Sequence, residues 1–131
     1  MIVRFTSSEK RFLGEHELCR FATVSSGGEP HVVPVCYLFI DDLFYVATDY
    51  GTVKYENVRE NKRIALVVDE YKPHKAVVVR GDVEILEEGE EFRRIRGKFY
   101  EKFEWARNDP WEEGESPIFK ISPREKVAWG L

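Results

Sequence analysis

The sequence predicts a mainly β domain: an antiparallel barrel of six or seven strands with flanking helices. Short apolar runs recur along most of the chain, and turn residues such as Ser26-Gly27-Gly28-Glu29 separate them. Only three stretches have the spacing of a helix. Because strands joined by short turns pair in antiparallel order, a barrel fits better than a parallel, doubly wound sheet.

Each element has a local signal. Thr6 and Glu9 form a capping box that starts the first helix, and Phe92, Ile95, Phe99 and Phe103 give the longest helix an apolar face that we expect to cap the barrel. Gly81 inside a strand indicates a bulge or a close approach. We expect helices over 6–17, 53–61 and 87–105, and strands over 19–25, 31–40, 43–48, 63–69, 76–86, 116–121 and 126–130. Pro123 indicates a turn over 122–125 between the last two strands.

Length and composition limit the classes of function. The 131 residues suit a single domain spanning 1–131, and a net charge of −4 lacks the overall footprint of a nucleic-acid binder. The longest apolar run is broken by Pro34 and is too short to cross a membrane. Two distant cysteines and no signal peptide favour a cytoplasmic protein. His16, His31 and His74 have no ligand spacing, so we predict no metal site.

The segment 45–54 is the most informative. A strand ends at Thr48, a turn with Gly51 follows, and a helix begins near Thr52. Free backbone N–H groups at a helix start, a threonine hydroxyl and the charge of Lys54 together suit a terminal phosphate. Thr52 could equally be an ordinary N-cap and Lys54 a solvated lysine.

Two further segments suit a flat ligand. Pro34 lies inside a strand, and because proline cannot donate a hydrogen bond, this strand should be an edge with unpaired backbone groups beside Val33 and Val35. An ordinary edge strand is the alternative. Trp129, near the end of the chain, should pack in the core, at an interface or against a cofactor ring.

No acid–base pair, nucleophile elbow or P-loop is evident, so we identify no catalytic residue. A cofactor that brings its own chemistry suits this inventory. From Cys19 to Val83 the chain resembles the pyridoxamine 5′-phosphate oxidase-like, FMN-binding split-barrel family. The resemblance rests on an ordered set of segments, namely Phe21–Val24, Gly28–Val35, Tyr45–Thr48, Lys54, Asn61–Asp69 and Val79–Val83.

The resemblance implies a six-stranded split barrel and a homodimer with FMN at the interface between its subunits. It places the cofactor phosphate at Thr48, Thr52, Val53 and Lys54, and the flavin ring along Val33, Pro34, Val35 and Cys36. It also implies that Trp129 packs near the ring bound by the other subunit. Family enzymes have an arginine where this chain has Val53, and Arg59, Arg63 and Arg80 are candidates to replace it.

True pyridoxamine phosphate oxidases also have a basic, histidine-containing substrate motif near the C-terminus that is absent here, which argues against oxidation of a vitamin phosphate. The leading hypothesis is an FMN-dependent oxidoreductase, a reductase of flavin or of small molecules with NAD(P)H as hydride donor. One alternative is a deazaflavin-dependent reductase of the same fold. Another is a non-catalytic flavin- or haem-binding electron-transfer module.

Overall fold

A computed structural model describes residues 2–131 as a curled, seven-stranded antiparallel sheet with four helices. The helices are α1 (Ser7–Glu15), α2 (Val53–Glu60), α3 (Glu90–Lys102) and α4 (Glu104–Asn108). The strands are β1 (Leu18–Val24), β2 (Pro30–Cys36), β3 (Leu38–Ile40), β4 (Leu43–Ala47), β5 (Arg63–Glu70), β6 (Lys75–Leu86) and β7 (Ile118–Trp129). Their order across the sheet is β2-β1-β5-β6-β7-β4-β3.

A single residue closes one corner of this sheet. The two edge strands, β2 and β3, are consecutive in the chain and are separated only by Tyr37. The sheet must therefore curl until its two edges meet at that residue. Tyr37 is fully buried, and its backbone N–H donates to the Glu17 carbonyl at 3.1 Å. This is the mainly β, split-barrel architecture that the sequence predicted.

The strand count is seven instead of the six that the resemblance implied. The strand predicted over 31–40 is divided at Tyr37, because β2 pairs with β1 whereas β3 pairs with β4. The turn predicted over 122–125 is wrong, since β7 runs through it without a break. Pro123 is tolerated there because β4 pairs with β7 only as far as Ile121, so beyond that point β7 has β6 as its single neighbour.

Two apolar clusters lie on opposite faces of the sheet, as alternate residues of β4 show. Phe44 and Val46 face the first cluster, which fills the inside of the half-barrel with residues of α1 and α2. Tyr45 faces the second cluster, formed with α3. The predicted apolar face of α3 caps the sheet there, with Phe92 and Phe99 fully buried. Burial of one such side chain stabilises the fold by roughly 1.5–3 kcal/mol.

The local signals at the first helix and at Gly81 are confirmed. Thr6 and Glu9 make both hydrogen bonds of a capping box, at 3.1 and 2.9 Å. The β6–β7 register shifts between Arg80 and Gly81. A Cβ on Gly81 would lie 2.6 Å from the backbone oxygen of Ser122, so this position needs a residue without a side chain.

Gly81→Ala and Gly97→Ala form a matched pair for testing the close approach of β6 and β7. We expect Gly81→Ala to lower the free energy of unfolding by about 1–3 kcal/mol, because the new methyl group displaces the β7 backbone. Gly97 lies inside α3 with no atom near its added Cβ, so Gly97→Ala should raise that free energy by about 0.5–1 kcal/mol. Urea unfolding measures both, and a Gly81→Ala protein as stable as the wild type would contradict the crowding.

Candidate functional site

The turn from β4 into α2 has the geometry of a helix start with free donors. Thr48 is buried at the end of β4, and Gly51 takes a positive φ of 81° that L-residues rarely adopt. Thr52 is the N-cap of α2, and its hydroxyl accepts a hydrogen bond from the Tyr55 N–H at 3.3 Å. Within residues 2–131 the N–H groups of Val53 and Lys54, in the first turn, have no partner.

The two threonine hydroxyls are linked. Thr48 Oγ1 and Thr52 Oγ1 are 3.3 Å apart, and Thr52 Oγ1 donates its proton to the Asp49 carbonyl at 2.9 Å. Thr48 is therefore the donor between the two hydroxyls. The turn thus gathers two hydroxyls and two free backbone N–H groups around the positive end of the α2 dipole.

Lys54 adds a charge that the protein does not neutralise. Its side chain is half-buried and makes no ion pair or hydrogen bond with any residue in the described range 2–131. Desolvation lowers the pKa of the Lys54 ammonium, and the charge of Asp49 opposes this shift only in part. A half-buried, unpaired ammonium beside free N–H groups favours the binding of an anion.

A buried hydrogen bond holds α2 in place. Asn57 Nδ2 donates to Thr23 Oγ1 of β1 at 2.9 Å, and both residues are buried. Val58, the next residue of α2, lies in the inner core. Because β1 is also the pairing partner of β2, these contacts fix the start of α2 relative to the edge strand that carries Pro34.

The predicted edge strand is confirmed, since β2 pairs with β1 alone. At the two ends of the β1–β2 hairpin, the Tyr37 N–H donates to the Glu17 carbonyl and the Ser25 N–H donates to the Glu29 carbonyl. Because bonded and non-bonded pairs alternate along an antiparallel ladder, the pairs formed by odd-numbered residues are the ones that exchange hydrogen bonds. Val33 and Val35 therefore bond to β1 through their backbone, and their side chains point towards the core. The unpaired backbone groups belong instead to Val32, Pro34 and Cys36, and Val32 was missed in the sequence.

The end of the edge strand meets the helical cap at Cys36. Its thiol is half-buried and packs against the outer cluster. Burial raises the pKa of the Cys36 thiol, and the indole of Trp105 acts in the opposite direction. Trp105 stacks on Phe103 of that cluster, so the last residue of the strand predicted to line a flavin ring packs against the cluster that supports Trp105.

Trp129 does not lie at the turn into α2. It is at the far end of β7, eleven residues beyond Ile118, which pairs with the end of β4. That separation corresponds to about 36 Å of strand. The indole is 41% exposed and donates to His74 Nε2 at 3.4 Å. The structure thus brings Thr48, Thr52, Val53 and Lys54 together and leaves Trp129 apart from them.

Two of the three candidate replacement arginines have other partners. Arg59 pairs with Glu56 at 2.9 Å, and Arg80 pairs with Glu125 at 3.0 Å. Arg63 is exposed on β5, beyond the C-terminal end of α2, and has no ion pair within residues 2–131. Lys54 is thus the unpaired lysine in the first turn of α2.

A cavity of about 430 Å³ lies next to the turn and was not foreseen in the sequence. It is bounded by the end of β4 and by the segment that connects α4 with β7, and its wall includes Thr48, Asp49, Trp105, Asp109, Trp111 and Glu115. Two tryptophans six positions apart on either side of Pro110 were the sequence signal that could have marked it.

The described residues, 2–131, contain neither a metal-ligand cluster nor a membrane-spanning helix. No group of three or more histidine, cysteine, aspartate or glutamate side chains in that range is arranged to hold a metal ion. Over the same residues, no helix has the length and apolar character needed to cross a membrane.

Comparisons with known proteins agree with this architecture. The chain is 29% identical to 5a,11a-dehydrotetracycline/5a,11a-dehydrooxytetracycline reductase of Streptomyces rimosus, across 97% of this chain and 84% of that protein. It superimposes on a FAD-binding protein from Mesorhizobium loti with a TM-score of 0.77 and 26% identity, covering 95% of this chain and 92% of that one. An F420 reductase gives a TM-score of 0.73 at 22% identity, covering 94% and 98%.

The family assignment rests on a wider match. The sequence model of the pyridoxamine 5′-phosphate oxidase family aligns with residues 5–129, which is nearly the whole chain. This range includes the turn into α2 and the edge strand β2 described above. The protein therefore belongs to the pyridoxamine 5′-phosphate oxidase family.

Proposed function

We propose that this protein is an FMN-dependent oxidoreductase, a reductase of flavin or of small molecules, that works as a homodimer. The observation that carries the proposal is the unpaired, half-buried ammonium of Lys54 at the start of α2. A protein gains little stability from such a group unless a ligand neutralises it. The terminal phosphate of FMN would supply the missing charge.

The residues at this corner fit a phosphate. The free N–H groups of Val53 and Lys54 can donate to phosphate oxygens, and the Lys54 ammonium can form a charge-assisted hydrogen bond. Thr48 and Thr52 supply hydroxyls that can turn towards the ligand. Val53 would take part through its backbone N–H alone, which leaves Lys54 to supply the side-chain charge.

The free edge of β2 fits the polar rim of a flavin ring. The pyrimidine side of the ring has two carbonyls and one N–H group. On the strand, Pro34 offers an unpaired carbonyl, whereas Val32 and Cys36 each offer an unpaired carbonyl and N–H. When bound, FMN supplies hydride-transfer chemistry between a nicotinamide and an acceptor. The residues of this chain would hold the phosphate, orient the ring and set the polarity around it.

The relatives support reduction as the reaction class. The Streptomyces relative is named as a reductase, and the Mesorhizobium relative is named as FAD-binding. A deazaflavin-dependent reductase remains the alternative within the same fold, because the F420 reductase shares that fold. A flavin or haem carrier without turnover is the alternative of another class, and the absence of an evident acid–base pair in the sequence favours it.

An open sheet face supports the dimer. Residues that alternate with the buried ones on β2, β1, β5, β6 and β7 form a surface on which apolar side chains pair across strands, and the ion pairs Arg20–Asp69 and Arg80–Glu125 lie among them. Its apolar members are Ala22, Val32, Pro34, Ala65, Val67, Val78, Val127 and Trp129, none of which belongs to the outer core cluster under α3. An open face with this mixture of apolar and charged side chains suits an interface.

We expect a dimer of the 15.4 kDa chain in solution, and light scattering at micromolar concentration measures it. Val78→Glu, whose cross-strand neighbours Val67 and Val127 are both apolar, should shift the mass towards one chain because it buries a charge. Glu84→Asp, an exposed change away from that row, is the control. A wild-type mass of one chain would contradict the dimer.

The test of function is a cofactor titration followed by an assay of turnover. We expect the protein to bind FMN and then to oxidise NADH or NADPH steadily when an acceptor dye is supplied. Affinity for a deazaflavin coenzyme more than about tenfold higher, or 1.4 kcal/mol, would favour the alternative reductase. FMN binding without turnover would indicate a carrier, and no flavin binding would contradict the proposal.

A further inference from the structure

The cavity beside Thr48 is a second site that the FMN proposal does not use. Its volume of about 430 Å³ lies within the range of pockets that bind small molecules. Thr48 forms part of its wall, and the hydroxyl of the same residue points to Thr52 in the phosphate turn. A ligand in the cavity would therefore neighbour the proposed cofactor.

One wall of the cavity is aromatic. The rings of Trp105 and Trp111 are nearly parallel, with planes 11° apart and centroids separated by 6.3 Å. Trp111 is buried and anchored in the outer cluster, whereas Trp105 is 43% exposed. Trp105 also packs on Phe103, with centroids 5.7 Å apart, so the exposed indole is held in place as a flat surface. Such a surface suits a planar ligand.

The charged residues of the wall are all acidic. Asp49, Asp109 and Glu115 line the cavity, and no arginine or lysine does. Asp49 accepts a hydrogen bond from Ser116 Oγ at 2.9 Å, and Glu115 accepts one from the Glu112 N–H at 2.6 Å. Asp109 has no side-chain partner within residues 2–131. The negative charge of the cavity is therefore not cancelled by cations on its wall.

The nearby arginines are engaged elsewhere. The guanidinium of Arg107 donates to the backbone oxygens of Tyr100 and Glu101. Arg96 donates to the Trp111 carbonyl at 2.9 Å and lies 3.5 Å from the Glu112 carboxylate. Carboxylates that line a cavity next to an open indole favour a cation on the ring face and disfavour an anion.

We propose that this cavity is the substrate pocket and that it selects flat aromatic molecules with a positive charge. This inference rests on the proposed function, because the pocket serves a flavin enzyme only if the flavin lies along β2. Trp105 provides the link, since it lines the cavity and stacks on Phe103 of the outer cluster, and Cys36 at the end of that strand packs against the same cluster. A substrate stacked on the Trp105 indole would therefore lie beside the edge of the flavin ring.

Three probes of one shape test the charge preference. N-methylacridinium, acridine and acridine-9-carboxylate share a flat three-ring frame and carry a positive, zero and negative charge at pH 7.5. Calorimetric titration of the dimer, with and without saturating FMN, should give the cation at least tenfold tighter binding than the neutral probe. The anion should bind most weakly.

Two variants test the wall itself. Asp109→Asn with Glu115→Gln removes two charges and keeps the hydrogen-bond acceptors, so the cation should bind no more tightly than acridine does. Trp105→Ala should weaken all three probes at least tenfold. Glu15→Gln with Glu88→Gln removes two exposed charges that have no ion pair in the described residues, and this control should keep the wild-type affinities.

The outcomes separate this inference from the proposed function. Equal affinity for the three probes, or an unchanged preference in the Asp109/Glu115 variant, would overturn the pocket while leaving FMN binding intact. Displacement of the cation by FMN would also overturn it, because the cavity would then be part of the cofactor site. Selective binding of the cation in a protein that binds no FMN would support the cation pocket and refute its role beside a flavin.

Discussion

The whole arrangement depends on the one-residue connection at Tyr37. Since β2 and β3 are the two edges of the sheet and Tyr37 is all that separates them, the sheet can satisfy both pairings only by curling. The buried ring of Tyr37 fixes this corner by donating its hydroxyl proton to the Leu13 carbonyl of α1. Away from the corner the edges separate, and the outer side of β2 keeps its unpaired groups. The split in the barrel and the free edge thus have the same cause.

The charge distribution around the free edge is uneven in a way that suits two different ligands. At the start of α2, Lys54 and the helix dipole favour an anion, and the Asn57–Thr23 hydrogen bond holds that helix against β1. On the other side of Thr48, the cavity is acidic and aromatic. Leaving one partner of a buried hydrogen bond unpaired costs roughly 1–3 kcal/mol. The Asn57–Thr23 hydrogen bond is therefore a strong constraint on the position of this corner.

Much of this could be predicted from local patterns. The capping box at Thr6, the turn at Gly51, the bulge at Gly81 and the edge strand at Pro34 each follow from the chemistry of one or two residues. What failed depended on neighbours that are distant in sequence. Pro123 suggested a turn because the local sequence does not show that β7 has a neighbour on one side only at that point. The local sequence also does not show which residues of β2 bond to β1. Hydrogen bonds at both ends of the hairpin decide this, and they leave Val32 unpaired in place of Val33. The cavity at Trp105 was missed because its wall joins two separate segments.

The most direct measurement compares FMN with riboflavin, which lacks the phosphate, in the wild type and in Lys54→Met. If Lys54 holds the phosphate, the substitution should weaken FMN by roughly ten- to a hundredfold, equivalent to about 1.5–3 kcal/mol, and leave riboflavin nearly unchanged. Lys10→Met, an exposed lysine on α1, is the control that should change neither affinity. Equal losses for FMN and riboflavin, or no loss for FMN, would contradict the phosphate site at the start of α2.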